Sequence, residues 1–293
     1  MQALTEQLAK DFSSLGNKGL ASLRQEAFKN FESQGYPTTR AEDWRYTNVK
    51  SVTTTPFQLE PEAQLQVSFE GELPQGVIVE KISTIIEQKP HLVEPYLNQY
   101  KDQAFATLNT AFLRDGIFIY IPKSVVVDSP VYLTHTSSKE NAVTHPHNLI
   151  VVDEGGQAKI VETYIGDDSK KYWTNAVTEV VAGFNSHIDH YKIQQEGDGA
   201  THFSTLYAHQ QKDSYFTSHV FSFGGCLVRN HVHVVHEAPG SHCVLNGLFI
   251  GSDEQHIDNQ TIIDHTQPHT TSQEFYKGIL GDKAQIGRRR VGK

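Results

Sequence analysis

Six apolar residues, Leu206, Val220, Val234, Leu248, Ile262 and Tyr276, follow one another at a constant step of fourteen positions. A fixed step sustained over six units marks a solenoid, in which each unit buries its apolar side only by stacking on its neighbours. Tyr207, Phe221, Val235, Phe249 and Ile263 form a second apolar column beside the first. Neighbouring strand residues point to opposite faces. One column can therefore fill a core while the other needs a different cover, such as a partner protein.

Fourteen residues are too few to wind a full coil around side chains, but they suit one strand of about five or six residues with its turn. Two units, about 28 residues by the same strand length, then make one coil. The expected architecture is mainly β: a parallel β-helix of two flattened sheets, with successive units alternating between them. A β-sandwich is the structural alternative, but its hairpins have no reason to hold a constant step.

From Gly116 onward, IFIYIP, VVVDSPVYLTH, HNLIVVDEG, AKIVETYIG and NAVTEVVAG are short β-branched runs closed by turn residues, with no helical pattern between them. Upstream the texture differs. Leu4, Leu8, Phe12 and Leu15, then Leu20, Leu23, Ala27, Phe28 and Phe31, predict two amphipathic helices on either side of a glycine break at 16–19. Gly35-Tyr36-Pro37 stops the second helix, and 39–44 predicts a short helical turn. Residues 51–76 form a polar connector containing Pro56, Pro61 and Pro74, and 80–113 favour helices broken at Pro90 and Pro95. The expected division is a helical N-terminal region with its connector over 1–113, a β-helix core over 114–280 and a basic, disordered tail over 281–293.

A net charge of −9 gives no electrostatic basis for binding nucleic acid. The first residues lack the basic-then-apolar pattern of a secretory leader, and no apolar run approaches the roughly 20 residues that cross a bilayer. Cys226 and Cys243 are the only cysteines, too few for a disulfide framework, so a reducing compartment, the cytoplasm, is expected.

Among 16 histidines the densest run is RNHVHVVHE, Arg229 to Glu237. His231 and His233 lie on one face of a strand, a spacing at which two imidazoles can share a metal ion. With Gly225 and Glu237 they match the first half of the cupin metal motif, G-x5-HxH-x3-E. The second half fails: Val244 stands where a glycine belongs, and His242 and Asn246 follow too soon for the intervening hairpin. The run also sits inside the fourteen-residue repeat, which points Val232 and Val234 to the core and both histidines to the opposite, wet face. Solvated or partner-facing histidines are the expected state, and a metalloenzyme using His231, His233 and Glu237 is the alternative.

His135, His145, His147, His187, His190, His202, His209 and His219 show no convergent spacing and are expected mostly at the surface. Asp153-Glu154 and Asp167-Asp168 are expected in turns. No phosphate loop, dinucleotide fingerprint or nucleophile elbow is present. No residue is assigned to catalysis, cofactor binding or metal binding.

Three segments, GYPTTRAEDWRYTNV (35–49), DGIFIYIPKSVVVDSPVYL (115–133) and LNGLFIGSDEQHIDNQTIIDHTQPHTTSQEFYKGIL (245–280), resemble in order the SufB/SufD family of iron–sulfur cluster assembly proteins. The last is similar to the SufD side of that family. The resemblance implies a right-handed parallel β-helix behind a helical region. It also implies a non-catalytic scaffold subunit that pairs with homologues of SufB and of the ATPase SufC. Such a subunit binds no stable cofactor alone, with iron or a nascent cluster carried by the complex. Family members continue past Leu280 into further strands, a Cys-Ser-His-Gly-Ala-Thr segment and a helical domain that docks SufC, whereas AQIGRRRVGK stands here. A truncated chain is therefore expected, its open strand edge capped by a second copy.

Overall fold

The computed structural model describes residues 2–15, 20–60, 64–97, 100, 103–113 and 116–287. The glycine break at 16–19, Pro61 and the arginines at 288–290 lie outside the described residues. Helices α1 (Gln2–Ser14) and α2 (Ala21–Gln34) open the chain. Gly35 ends α2 at φ +67°, its N–H donating to Phe31 O, the left-handed stop that glycine adopts without Cβ strain. A 3-10 turn at Glu42–Trp44 and α3 (Lys50–Thr54) follow. After short strands β1 (Gln58–Leu59), β2 (Gln64–Ser68) and β3 (Ile78–Lys81) come α4 (Ile82–Gln88) and α5 (Ala104–Ala111). Between α4 and α5, Pro90 and Pro95 each sit in the first positions of a 3-10 turn, where the missing N–H is not needed.

The solenoid is built from β4 (Ile117–Ile121), β5 (Val131–Ser137), β6 (Ala142–Thr144), β7 (His147–Val152), β8 (Gln157–Gly166), β9 (Tyr172–Ala182) and β10 (His187–Gln195). It continues through β11 (Thr201–Gln210), β12 (Tyr215–Ser222), β13 (Leu227–His236), β14 (His242–Gly251), β15 (His256–His265), β16 (Thr271–Leu280) and β17 (Gln285–Ile286). From β7 on, strands alternate between two sheets. The first runs β17-β15-β13-β11-β9-β7-β4-β3 and the second β16-β14-β12-β10-β8-β5-β2. Pairing is parallel except where β3 and β2 join antiparallel to β4 and β5. The expected parallel β-solenoid of two sheets, preceded by a helical region, is the observed fold. The stacking also runs beyond 280, because Gln285 and Ile286 pair with His256 and Ile257, so the expected tail begins with a strand instead.

The fourteen-residue ladder is only partly a ladder in space. Phe216 pairs with Cys243 after Ile188 pairs with Phe216, steps of 27 and 28 residues. A one-residue change of register turns every side chain over. Val220 therefore pairs with Gly247 and Leu248 turns outward; Val234 pairs with Ile263, which takes the inward place of Ile262. Leu206, Val220, Val234 and Tyr276 remain against the interior. The Tyr276 ring lies over Gly247, where a Cβ would fall 2.2 Å from it.

One corner of the stack shows what keeps the coils aligned while their lengths vary. Ser124, Gly155, Asn185, Asp213, Gly240 and His269 occupy successive turns and all have positive φ, between 50° and 81°. The N–H of Ser124 donates to Glu154 O, Gly155 to Phe184 O, Asn185 to Lys212 O and Asp213 to Pro239 O, so each left-handed residue ties its turn to the next. At Gly240, φ is +81° and an added Cβ would stand 2.0 Å from Asp213 Oδ1. Gly240→Ala should therefore lower stability by about 1–3 kcal/mol; an unchanged urea midpoint would show that the corner relaxes freely.

Two apolar layers flank the first sheet. Its inner side meets the second sheet through residues such as Ile119, Ile150, Ile160, Ile188, Phe216 and Val234. Its outer side, which the sequence left to a partner, is covered by the chain's own N-terminal region. Phe28, Phe31, Phe105 and Leu108 pack on Trp173, Phe203 and Leu227, and α4 packs Ile82 and Ile85 on Phe118, Leu149 and Val151. The second sheet has no such cover among the described residues, and Tyr132, Phe223, Ile250, Phe275 and Ile279 are exposed along its outer side.

Candidate functional site

Strand alternation aims Glu162 and Tyr164 of β8, His190 and Lys192 of β10 and His202 and Ser204 of β11 into the space between the sheets, on the same parity as apolar Ile160, Ile188 and Leu206. The lumen is thus apolar along one side and polar along the other. Glu162 accepts from Tyr164 OH at 3.0 Å and from Thr178 Oγ1 at 2.8 Å. Lys192 donates to Ser204 Oγ at 2.6 Å and Asn230 Oδ1 at 2.5 Å, and its ammonium lies 5.5 Å from the Tyr164 ring centroid. Glu196 accepts from Thr174 at 2.5 Å and lies 2.6 Å from His202 Nδ1. His135 stacks on Tyr164, ring centroids 4.9 Å apart.

Burial and partners set the charges. Desolvation would raise Glu162, but the nearby His190 imidazole, the Thr178 hydroxyl and the proximity of His135 outweigh it and hold the carboxyl well below the usual range. Glu196 is likewise lowered against the pull of burial, by His202, Thr174 and Gln194. Burial brings the Lys192 amine down to about 7, opposed by Glu162 and Glu196, and brings His135 down to about 4. The two carboxylates and the amine persist inside the solenoid because hydroxyl and amide groups bond each of them.

The histidine run on β13 does not assemble as a site. His231, which the sequence placed on a wet face, is buried beside Trp44 and Phe105, and its Nδ1 lies 3.2 Å from Gln260 Oε1. His233 points to Asp264 at 2.7 Å, and Glu237 binds His209 and Gln211 instead. The trio therefore diverges into three separate pairings. Among the described residues no three His, Cys, Asp or Glu side chains converge on one ion. Protein incubated with Fe2+, Mn2+ or Zn2+ and then desalted should retain no metal through this trio. Stoichiometric metal lost in a His231→Ala/His233→Ala variant would restore the enzyme alternative.

Beside that run lies a charged junction between the N-terminal region and the solenoid. Arg229 of β13 pairs with Asp258 of β15, donates to Gln260 and to Asp43 O, and lies under the Trp44 ring at 4.0 Å. Thr47 donates to Asp258, and its hydroxyl is 3.2 Å from His256 Nε2. The segment 35–49, noted above for its resemblance, is thus a strap: its tryptophan, threonine and a backbone carbonyl all end on this junction.

Several histidines expected at the surface are interior. His135, His145, His147, His190 and His202 are buried, because the lumen and the helix-covered face supply partners that solvent would otherwise provide. His147, for example, is held by Asn109 of α5 at 2.8 Å and by Glu179 at 3.2 Å. His187, His209 and His219 are only partly covered or exposed. Asp153-Glu154 and Asp167-Asp168 do lie in turns, Cys243 is buried and Cys226 exposed. The overlooked lumen residues did carry one signal, the shared parity of Ile188 with His190, Lys192 and Gln194.

A solenoid of two parallel sheets, with a buried polar cluster between them and the chain's own helices over one sheet, defines the parallel β-solenoid class. Comparison with known proteins makes this specific. Residues 134–287 match the core domain of SufBD proteins, described as SUF system FeS cluster assembly, and residues 3–70 and 62–133 match the SufBD protein N-terminal region. The chain belongs to the SufBD family of iron–sulfur cluster assembly proteins and is SufD-like. It is 26% identical to the chloroplastic protein ABCI7 of Arabidopsis thaliana over 89% of this chain and 62% of that protein. Identity is 22% to a SufBD family protein of Synechocystis, over 97% and 71%, and 20% to SufD of Escherichia coli, over 86% and 64%. The chain spans 62% to 71% of the length of these relatives.

Proposed function

We propose that this chain is a non-catalytic scaffold subunit of an iron–sulfur cluster assembly complex, pairing with a SufB homologue and, through the assembly, with the ATPase SufC. The observation that carries the reading is the match of the SufBD core model to the coil stack itself, residues 134–287. The second sheet, which no helix covers among the described residues and which exposes Tyr132, Phe223, Ile250, Phe275 and Ile279, supports it by leaving a sheet face open to a protein partner. Iron or a nascent cluster is then cargo of the complex, held at positions this chain does not supply alone. No helix among the described residues is long and apolar enough to cross a membrane. The compartment that suits two free cysteines is the cytoplasm.

Co-expression with tagged SufB and SufC homologues tests the proposal. The expected result is capture of this chain by SufB, with SufC in the same eluate only when SufB is present. A chain that elutes alone at every concentration, or that forms a stable homodimer and ignores SufB, would overturn the pairing.

A further inference from the structure

At the centre of the lumen is a small cavity. Glu162, Tyr164, His190, Lys192 and Val220 line it from the second sheet, and Thr178, Leu206, Asn230 and Val232 from the first. Its room for water centres is about 10 Å³, which is one water molecule's worth. His190 is fully buried; its Nδ1 lies 3.2 Å from Ser218 Oγ, while its Nε2 has no hydrogen-bond partner and is 3.5 Å from Glu162 Oε1. At that distance the direct contact is at the outer limit of a hydrogen bond, so the ring nitrogen is left to a ligand lying beside the pair, in the cavity that both line. Lys192 has three N–H donors, of which two go to Ser204 and Asn230.

We infer that this cavity is a binding site for a single ordered water, which accepts from His190 Nε2–H and Lys192 Nζ and donates to Glu162. The chemistry of the walls selects a neutral ligand. A cation would meet the Lys192 ammonium, and an anion would meet Glu162 with Glu196 nearby. The water needs two to four polar partners to be retained, and three converge here. It joins β8 and β10 of the second sheet to each other and, through Lys192, to Ser204 and Asn230 of the first. The sheets are thereby riveted across the lumen at the one place where apolar packing gives way. The assignment also fixes the tautomer: His190 carries its proton on Nε2, and Ser218 donates to Nδ1.

A high-resolution crystal structure should show one peak at about 2.6–3.2 Å from His190 Nε2, Lys192 Nζ and Glu162. Imidazole 15N shifts should report the Nε2–H form. A His190→Gln variant, which keeps a donor near the same point, should retain the peak, and His190→Leu should lose it. An empty cavity in the wild-type map, an Nδ1–H tautomer, or an anomalous signal there after rubidium or thallium soaking would overturn the inference, the last by showing a cation. In solution, water-selective rotating-frame cross-peaks to the His190 ring should appear in the wild type. This measurement decides the matter even where the leucine variant fails to fold, and absent cross-peaks would count against the site.

Discussion

Arg229→Met is expected to destabilise the protein by about 3–5 kcal/mol, because it strands a buried carboxylate. Arg229 and Asp258 are 4% and 6% exposed, so water cannot replace the lost guanidinium. A domain's whole stability is about 5–15 kcal/mol, which makes this single change visible as a large drop in urea midpoint. The strap should loosen as well, since Trp44 loses its cation and Asp43 O its donor. Hydrogen exchange over 42–47 should then rise more than exchange in β9 or β11. The double variant Arg229→Met/Asp258→Leu should recover much of the stability, since replacing both members of a buried pair by apolar groups is often close to neutral. A single variant that loses less than about 1 kcal/mol would mean that Asp258 behaves as a solvated surface charge.

Acidification should unfold the protein well above the range where carboxylates alone act. Burial holds His135 at about 4, His145 at about 3 and His231 at about 4, against an ordinary value of 6.5. A histidine whose folded value is depressed contributes stability that is complete above the unfolded value. That contribution is lost as pH falls from 6.5 toward 3–4, because the unfolded chain takes up protons that the folded chain refuses. Each contributes on the order of 3 kcal/mol over that window, a large share of a domain's stability. The lowered carboxylates of Glu162 and Glu196 act in the same direction at lower pH. Urea midpoints measured from pH 7.5 to 4.5 should fall steeply below 6.5. His145→Phe, which can keep the stack on Phe112, should make the fall measurably shallower. Midpoints unchanged between pH 7 and 5 would show that these rings reach solvent in the native state.

Periodicity made the architecture legible because a solenoid repeats its burial requirement once per strand. The same regularity concealed where coils gain or lose a residue. Leu248 and Ile262 keep the fourteen-residue step yet face outward, since their strands pair one place away from the step that the ladder implies. The lumen was harder to see. His190 and Lys192 alternate with Asp189, Tyr191 and Ile193, so neither parity of β10 is purely apolar and the pattern alone cannot say which side is inside. The cover on the first sheet was hidden for another reason: α5 is buried almost throughout, including Asn109 and Thr110, and a helix buried all round shows no amphipathic stripe. The diverging partners of His231, His233 and Glu237 depend on contacts with β15 and β11, about thirty residues away on either side, which no local spacing encodes.

The strap has a consequence for how the chain is made. Thr47 and Asp258 are 211 positions apart and Asp43 and Arg229 are 186 apart. At a synthesis rate of roughly 5–20 residues per second, residues 42–47 leave the ribosome on the order of 10–40 s before their anchor exists. During that interval Trp44 and its neighbours have only growing coils to rest on. The final seating of the N-terminal region therefore reports that translation has reached β15.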